Sequence, residues 1–229
     1  VSIKVGGDLP NRWTHVIFKL KTQNSKVKSE DAYLYYNDIR QFGWIKILPT
    51  SEVGNLPFFK ELGPEPPVTG PAGRQSQSHP ALGPTPVSGA PRRPSPVLTL
   101  ELFQNIVNKS PTKIKPFLMD QKKIGGIGNI YANDALNLAA IHPARPAKSL
   151  TPDEQKKLYE AILFVLKKGL KEGGASEINF VNALGQEGGY QKHFLTYARQ
   201  GKSCPRGDGI IKKIVLAGRG TYFCPACQR

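Results

Sequence analysis

Apolar and polar residues alternate through the N-terminal part of the chain, and this spacing predicts β-strands. The alternation is clearest in Trp13–Lys21, Ala32–Tyr36 and Gly43–Leu48, which are rich in β-branched and aromatic side chains. Val1–Val5 has the same character, and Pro57–Leu62 is predicted to form a single helical turn. We therefore expect a β-rich N-terminal region.

The apolar spacing changes to three and four residues after Leu98, which predicts helices. Segments Leu98–Asn108 and Asn129–Ala140 fit this spacing, and a shorter helix is predicted for Ser176–Ala183. The longest helix should begin at Thr151 as N-cap, because Pro152 and two acidic residues follow it, and should end at Gly173-Gly174. The predicted buried face of this longest helix comprises Leu158, Ile162, Leu163, Val165, Leu166 and Leu170.

Two further segments differ from these helices in composition. Residues 64–97 hold ten of the twenty prolines and almost no large apolar side chains, so an extended linker is expected there. Near the C-terminus, strands are predicted for Ile210–Leu216 and Thr221–Phe223, joined by a turn at Gly218–Gly220.

The charge of the chain indicates a polyanionic partner. Lys and Arg number 32 against 17 Asp and Glu, a formal net charge of +15 in 229 residues. The excess is spread along the chain, which favours nucleic acid over a membrane surface. No apolar run approaches the ~20 residues that a membrane span needs, and three cysteines do not make a disulfide framework. We expect a reducing, cytoplasmic compartment.

A short apolar helix carrying Lys115 precedes a basic, glycine-rich turn, Lys122–Gly128, and Asn129 opens the next helix. Backbone N–H groups at such a helix start can approach an anion closely, and the helix dipole favours it. The alternative is a flexible surface turn between two packed helices. The lysines and Asn129 favour a phosphate group as the ligand.

The three cysteines suggest a metal site. Cys224-Pro-Ala-Cys227 is half of a structural zinc site, and Cys204 begins a similar turn in which Gly207 stands where a second sulfur is needed. Zinc held by the three cysteines and water or another ligand is one interpretation, with Asp208 as a possible fourth ligand. A metal-free hairpin is the other.

Three further side chains are candidates for nucleic-acid contacts. Arg40 and Phe42 could form a wedge that enters a base stack, or could lie in an ordinary surface loop. Arg219, between two glycines, could bind a phosphate with two hydrogen bonds, or could be an ordinary turn residue.

These features together resemble the formamidopyrimidine-DNA glycosylase family, which includes endonuclease VIII. The resemblance covers nearly the whole chain except the proline-rich linker, and the order of its motifs is specific to that family. The motifs are Asp38–Gly43, Leu62–Pro66, Ile114–Asp120, Gly126–Tyr131, Ile141–Pro143, Gly188–Tyr190 and Gly218–Gln228.

The resemblance implies an α+β multidomain protein. It predicts a partial β-sandwich domain over residues 1–63, a linker over 64–97 and a helix–two-turn–helix domain over 98–200. A zinc-finger β-hairpin would follow over 201–229, with one structural zinc ion bound by Cys204, Cys224 and Cys227.

The resemblance also implies roles in DNA binding. Arg40 and Phe42 would fill the gap left by an extruded base, and Tyr190 would belong to a loop over that base. Lys115, Gly128 and Asn129 would clamp the phosphates that flank the lesion. Arg219 would bind phosphate and take part in the second elimination step.

The chain departs from the family pattern at several places. The family's nucleophile is an N-terminal proline followed by a catalytic glutamate, and a lysine lies on an early hairpin; none of these is present. Trp13 stands where the family often has a DNA-contacting histidine, and Gly207 replaces a zinc ligand. Because the chain begins at Val1, we expect a sequence that starts inside the first domain.

The resulting hypothesis is a base-excision-repair DNA glycosylase and abasic-site lyase. It would remove oxidised purines, formamidopyrimidine and 8-oxoguanine, and cleave by β,δ-elimination, with the activity of this chain open because its nucleophile is missing. The alternatives are a catalytically inactive module that binds damaged DNA and a ribosomal-type RNA binder. We expect a monomer that binds damaged duplex DNA, in a bacterial-type cytoplasm and associated with the nucleoid.

Overall fold

The structure is a computed structural model that describes residues 10, 12, 14–20, 32–38, 42–43, 45–68, 96–176, 187–207 and 209–229. Several predictions therefore lie outside the described residues. They concern the strand Val1–Val5, most of the linker, the helix predicted over 176–183 beyond its first residue, and the side chains of Trp13, Arg40 and Asp208.

The chain divides into two compact units. The first unit lies within Val1–Ile47 and Gly169–His193, and the second within Leu48–Lys168 and Phe194–Arg229. This division joins a late segment of the chain to the β-rich start, a grouping that the spacing of apolar residues does not reveal.

An antiparallel pair of strands forms the sheet in the described part of the first unit. Strand β1, Thr14–Leu20, pairs with β2, Ala32–Asn37, as the alternating pattern predicted. The register shifts between Thr14 and Val16, a β-bulge near the start of the pair. The Thr14 hydroxyl donates to Asn37 Oδ1 at 2.6 Å and links the open ends of the two strands.

The strand predicted for Gly43–Leu48 is wrong in the described residues of that segment. Residues 45–49 have no regular structure, and Ile47 is 90% exposed. Alternation of residue types can mark a strand only where a neighbouring strand satisfies its backbone groups. In the described residues, the sheet of this unit consists of β1 and β2 alone.

The second unit contains the helices that the apolar spacing predicted. They are α1, Pro57–Lys60; α2, Leu100–Asn108; α3, Ile114–Met119; α4, Asn129–Leu138; and most of α5, Pro152–Lys171. Helix α2 starts two residues later than predicted because Thr99 is its N-cap, with the hydroxyl accepting from Leu102 N. The core of the second unit includes Phe103, Val107, Phe117, Leu118, Leu136, Leu158, Ile162 and Val165.

Both ends of α5 follow their sequence signals. The Thr151 hydroxyl accepts from Glu154 N at 3.3 Å, while Thr151 N donates to the Glu154 carboxylate at 2.8 Å, a capping box. Gly173 and Gly174 have positive φ and end the helix. Leu170, predicted to be buried, is 55% exposed.

The described ends of the predicted linker are held together. Glu65 and Val97 form a parallel β-bridge, in which Glu65 N donates to Pro96 O and Leu98 N donates to Glu65 O. The two described ends of the predicted linker therefore lie side by side.

A second hairpin completes the second unit. Strand β3, Lys212–Leu216, pairs antiparallel with β4, Arg219–Phe223. The turn predicted for Gly218–Gly220 lies one residue earlier, at Ala217-Gly218, where both residues have positive φ as in a type I′ turn. Arg219 is therefore the first residue of β4 and follows the turn.

No helix among the described residues is both long and apolar enough to cross a bilayer.

Candidate functional site

The start of α4 is open to an external group. Gly128 is the N-cap, exposed and extended (φ −101°, ψ 177°), and no side chain caps the helix. A Cβ placed on Gly128 would meet nothing within 4 Å, so the fold itself does not require glycine there. Asn129, the first helical residue, is half-buried. The N–H groups at a helix start of this kind can bind an anion that approaches over Gly128.

The turn before α4 is fixed by a residue that the sequence analysis did not single out. The Gln121 amide donates to Ile127 O at 2.9 Å and accepts from Gly126 N at 2.9 Å. Gly126 has φ +83°, so here a glycine is required by the backbone. These bonds hold the turn in one conformation, and a flexible surface turn is therefore not what the structure shows.

Lys115 lies inside the second unit and contacts the C-terminal hairpin. The side chain is 1% exposed, and its Nζ donates to Thr221 Oγ1 at 2.7 Å and to Gly220 O at 2.9 Å. Burial, and secondly the nearby Arg219 guanidinium, lower the pKa of Lys115 to about 8. The contacts of Lys115 are with protein acceptors, and its predicted contact with phosphate stays a prediction.

Asn133, on helix α4, contacts the same strand β4. Its Oδ1 accepts from Tyr222 N at 2.7 Å, and its Nδ2 donates to Asn129 O at 2.7 Å. Asn133 is buried. In the sequence, an asparagine in the middle of a predicted helix was the one signal that could have indicated a buried hydrogen bond at this position. Helices α3 and α4 thus each provide a polar side chain that anchors β4.

Arg219 is exposed at the start of β4, directly after the tight turn. The Thr221 hydroxyl donates to Arg219 O at 3.1 Å and joins the backbone of Arg219 to the Lys115 contact. On the adjacent strand, Lys213 Nζ lies 5.5 Å from the centre of the Tyr222 ring, which adds a second positive charge to the hairpin. The hairpin is therefore basic, and buried polar groups anchor its strand β4.

Two candidate residues belong to the first unit. Phe42 is 80% exposed, as a wedge residue would be, whereas Arg40 lies outside the described residues. Tyr190 is only 2% exposed, and its backbone N donates to Gly174 O at 3.0 Å. Its predicted contact with DNA stays a prediction.

The segment that carries Tyr190 is packed against the end of α5. A Cβ on Gly188 would lie 2.2 Å from Gly174 O, so a larger residue does not fit at position 188. Gly189 N donates to Glu172 O at 2.7 Å, and Gly188 N donates to Ser176 Oγ at 2.8 Å. The base of the predicted loop over the flipped base is therefore well anchored.

The three cysteines come together, as the zinc interpretation predicted. Their sulfur atoms all lie within 4.8 Å of one another, and the Sγ atoms of Cys204 and Cys227 are 3.8 Å apart. Tetrahedral zinc with Zn–S bonds of ~2.3 Å places its sulfur ligands about 3.8 Å apart. Cys204, Cys224 and Cys227 therefore fit a structural zinc ion by donor type and by spacing.

A buried amide network connects the thiol cluster to α4. Asn137 Nδ2 lies 3.8 Å from both Cys204 Sγ and Cys227 Sγ and donates to Gln228 Oε1 at 3.1 Å. Gln228 also accepts from Cys224 N and donates to Ile141 O, each near 2.9 Å. N–H donors to sulfur reduce the cost of thiolate charge, and this outer shell was not predicted.

The chain is similar to known proteins. Residues 82–180 match the family model of the formamidopyrimidine-DNA glycosylase H2TH domain, and residues 201–229 match that of the zinc finger found in FPG and IleRS. The formamidopyrimidine-DNA glycosylase of Pelotomaculum thermopropionicum is 38% identical over 225 residues, covering 98% of this chain and 68% of the relative. That of Lactiplantibacillus plantarum is 37% identical, covering 97% and 69%.

A solved structure is similar as well. The complex between the Lactococcus lactis Fpg and DNA containing an abasic site matches with a TM-score of 0.69 at 32% identity, covering 93% of this chain and 70% of that one. The matching family models, the similar relatives, the similar solved structure and the cysteine cluster all indicate the same family. The chain belongs to the formamidopyrimidine-DNA glycosylase family.

Proposed function

We propose that this chain serves base-excision repair as the DNA-binding part of a glycosylase and abasic-site lyase. The substrates would be duplexes that carry oxidised purines, formamidopyrimidine and 8-oxoguanine, with cleavage by β,δ-elimination. The related Lactococcus lactis protein has been solved with Fapy-dG DNA and with abasic-site DNA, which supports this substrate class. We expect a monomer that works on DNA in the cytoplasm.

One observation carries the proposal. The open start of α4 and the exposed Arg219 belong to elements that two buried side chains, Lys115 and Asn133, hold in fixed relation. Backbone N–H groups at a helix start and a guanidinium are both phosphate ligands. A surface that offers both, on rigid elements, suits a DNA backbone that must be held while a base leaves the stack.

The remaining residues would act as follows. Asn129 would add a side-chain contact beside the N–H groups of α4, and the exposed Phe42 would enter the base stack. Lys115 would act mainly by holding Thr221 and Gly220, and so the backbone next to Arg219. Zinc, when bound, would cross-link the two turns that carry Cys204 and Cys224.

A second candidate function is binding of damaged DNA without cleavage. It requires only the surface formed by the start of α4 and the exposed Arg219, which are features that the structure describes. A Schiff base with the sugar needs an amine that is partly neutral at working pH. The two candidates share the same DNA-binding surface and differ only in chemistry.

Borohydride trapping on a duplex with one abasic site, run beside a binding assay, separates the candidates. Binding with a trapped covalent adduct supports a lyase, and binding without an adduct supports a recognition module. Undamaged duplex and single-stranded RNA serve as competitors. If the abasic duplex is not preferred over both competitors, the proposed function is wrong.

A further inference from the structure

The thiol cluster lacks a fourth protein donor among the residues that the structure describes. Within that part of the chain, no other His, Cys, Asp or Glu joins Cys204, Cys224 and Cys227. Gly207 stands at the end of the turn that Cys204 begins, with its N donating to Cys204 O at 2.9 Å. Four-coordinate zinc therefore has one position that these three residues leave unfilled.

Three sides of the cluster are closed by protein. The buried side chain of Ile211 packs against Cys204 and Cys224. The Asn137 amide covers Cys204 and Cys227 from α4. A Cβ built on Gly209 would lie 3.5 Å from Cys224 Sγ, so the backbone itself is close on this side.

The side at Gly207 is different. Gly207 is exposed, as are its neighbours Pro205 and Arg206, and a Cβ at this position would meet nothing within 4 Å. Its φ of +79° is a conformation that glycine adopts easily and other residues adopt with strain. A small molecule can therefore approach next to this turn without displacing a described side chain.

We propose that the metal held by Cys204, Cys224 and Cys227 keeps one coordination position for a small external ligand, specifically a thiolate. Water occupies this position until a low-molecular-weight thiol arrives. The thiol then loses its proton to solvent, its sulfur bonds to the metal and the water leaves, with no change of oxidation state. This inference rests on the proposed zinc site.

The chemistry favours a thiolate over other donors. Soft sulfur ligands suit zinc, and a fourth sulfur completes the donor set of a closed structural site. One Asn137 N–H donates to Gln228, and the other, shared between Cys204 and Cys227, already partly offsets the charge of the two sulfurs, which lowers the cost of adding another anion. The external thiolate would thus do the work of the cysteine that Gly207 replaces.

Cobalt substitution in the full chain tests the proposal, because Co²⁺ reports its ligands in the absorption spectrum. The metal-free chain is loaded with Co²⁺ and titrated with 2-mercaptoethanol, with a protein-free blank. We expect tetrahedral bands that shift on titration and a sulfur-to-cobalt absorption that rises by about one third, as three thiolate bonds become four.

Two variants provide matched controls. Gly207→Cys supplies the fourth thiol within the chain, so its spectrum should match that of the thiol-saturated parent and should not respond to 2-mercaptoethanol. Gly207→Ala imposes the same backbone strain without a donor and should respond like the parent. If Gly207→Cys does not fold, the titration of the parent and Gly207→Ala still decides.

The possible failures are distinguishable. If the cobalt-loaded chain shows no tetrahedral bands, the proposed metal site itself is wrong. If the spectrum is tetrahedral but does not change when 2-mercaptoethanol is added, the metal site is supported and the proposed open coordination position is wrong. If Asp208→Asn then restores the response, Asp208 is the fourth ligand and the position is closed by the protein.

Discussion

Each hairpin of this chain pairs two antiparallel strands, but within the described residues the two differ in the side chains that anchor them. In β1–β2 the hydroxyl of Thr14 bonds to Asn37 within the hairpin, and Ile17 and Tyr33 remain nearly half exposed. In β3–β4 the backbone and hydroxyl groups of β4 accept and donate bonds to buried side chains of α3 and α4. A two-stranded hairpin alone is marginally stable, so its anchors decide how firmly it is held.

The difference bears on the DNA-binding surface that we propose. A phosphate ligand is effective only if its geometry is set before binding. Arg219 begins the anchored strand, and Lys115 and Asn133 are the anchors. We therefore expect the hairpin β3–β4 to be the rigid part of the proposed DNA-binding surface. Hydrogen exchange resolved by peptide can compare it with β1–β2.

The largest effect should come from the cysteine cluster. Cys224→Ser replaces a sulfur that is fully buried, so metal binding should be lost and the hairpin β3–β4 destabilised by about 4 kcal/mol. Hydrogen exchange in β4 should speed up strongly, whereas exchange in β1 should not change. Metal content is measured on the same samples, and a Cys224→Ser chain that keeps its metal and its protection would contradict this assignment.

A smaller effect is expected from the anchor between α3 and β4. Thr221→Val keeps the shape of the side chain but removes the acceptor of Lys115 Nζ, a fully buried bond at 2.7 Å. Loss of a buried hydrogen bond to a charged group should cost about 2 kcal/mol.

Thr14→Val is the matched change in the other hairpin, since it removes a partly buried hydroxyl bond. We expect a cost of about 0.5 kcal/mol there. Urea unfolding and hydrogen exchange measure both losses of stability. Equal losses in Thr221→Val and Thr14→Val would contradict the claim that β3–β4 is the more firmly anchored hairpin.

The pH dependence of stability provides a third test. Lys115 has a pKa of about 8 in the folded chain, below its ordinary value of 10.5. The unfolded chain then binds more protons between these values, so the free energy of unfolding should rise with pH above 8. From pH 8 to 9.5 we expect a gain of about 1.5 kcal/mol from this group. Lys115→Met should not show this gain. If the free energy of unfolding depends on pH in the same way in both chains, the pKa of Lys115 is not lowered to about 8.

The smallest expected effect concerns one exposed charge. Arg219→Ala should lower the affinity for an abasic duplex by about fivefold and reduce the slope of log affinity against log salt by about one. Lys156→Ala, which removes an exposed charge on α5, is the control and should change neither value. Equal slopes for all three chains would exclude Arg219 as a phosphate ligand.

Local signals allowed the sequence to predict much of the fold. The capping box of α5 lies within four residues of chain, and Gly173 marks its end, so both could be read directly. The segment Gly43–Leu48 shows the limit, because a strand depends on a partner that the pattern does not contain.

The candidate site was predictable in its residue types and less so in its contacts. Cys204, Cys224 and Cys227 meet as expected, since their spacing is typical of metal sites. The bond between Lys115 and Thr221 joins residues 106 positions apart, and no local pattern indicates it. Lys115 therefore looked like a surface cation in the sequence and lies buried in the structure.

Gly128→Val tests the central claim most directly, because the structure separates its effect on folding from its effect on binding. Gly128 has a backbone conformation that any residue can adopt, and open space lies where its Cβ would be. Because valine is a poorer N-cap than glycine, the free energy of unfolding should fall by about 1 kcal/mol, and the chain should remain folded. Affinity for an abasic duplex should fall by at least about tenfold, since the valine blocks the approach of a phosphate to the N–H groups of α4. Unchanged affinity in a normally folded Gly128→Val chain would contradict the claim that the start of α4 binds the DNA backbone.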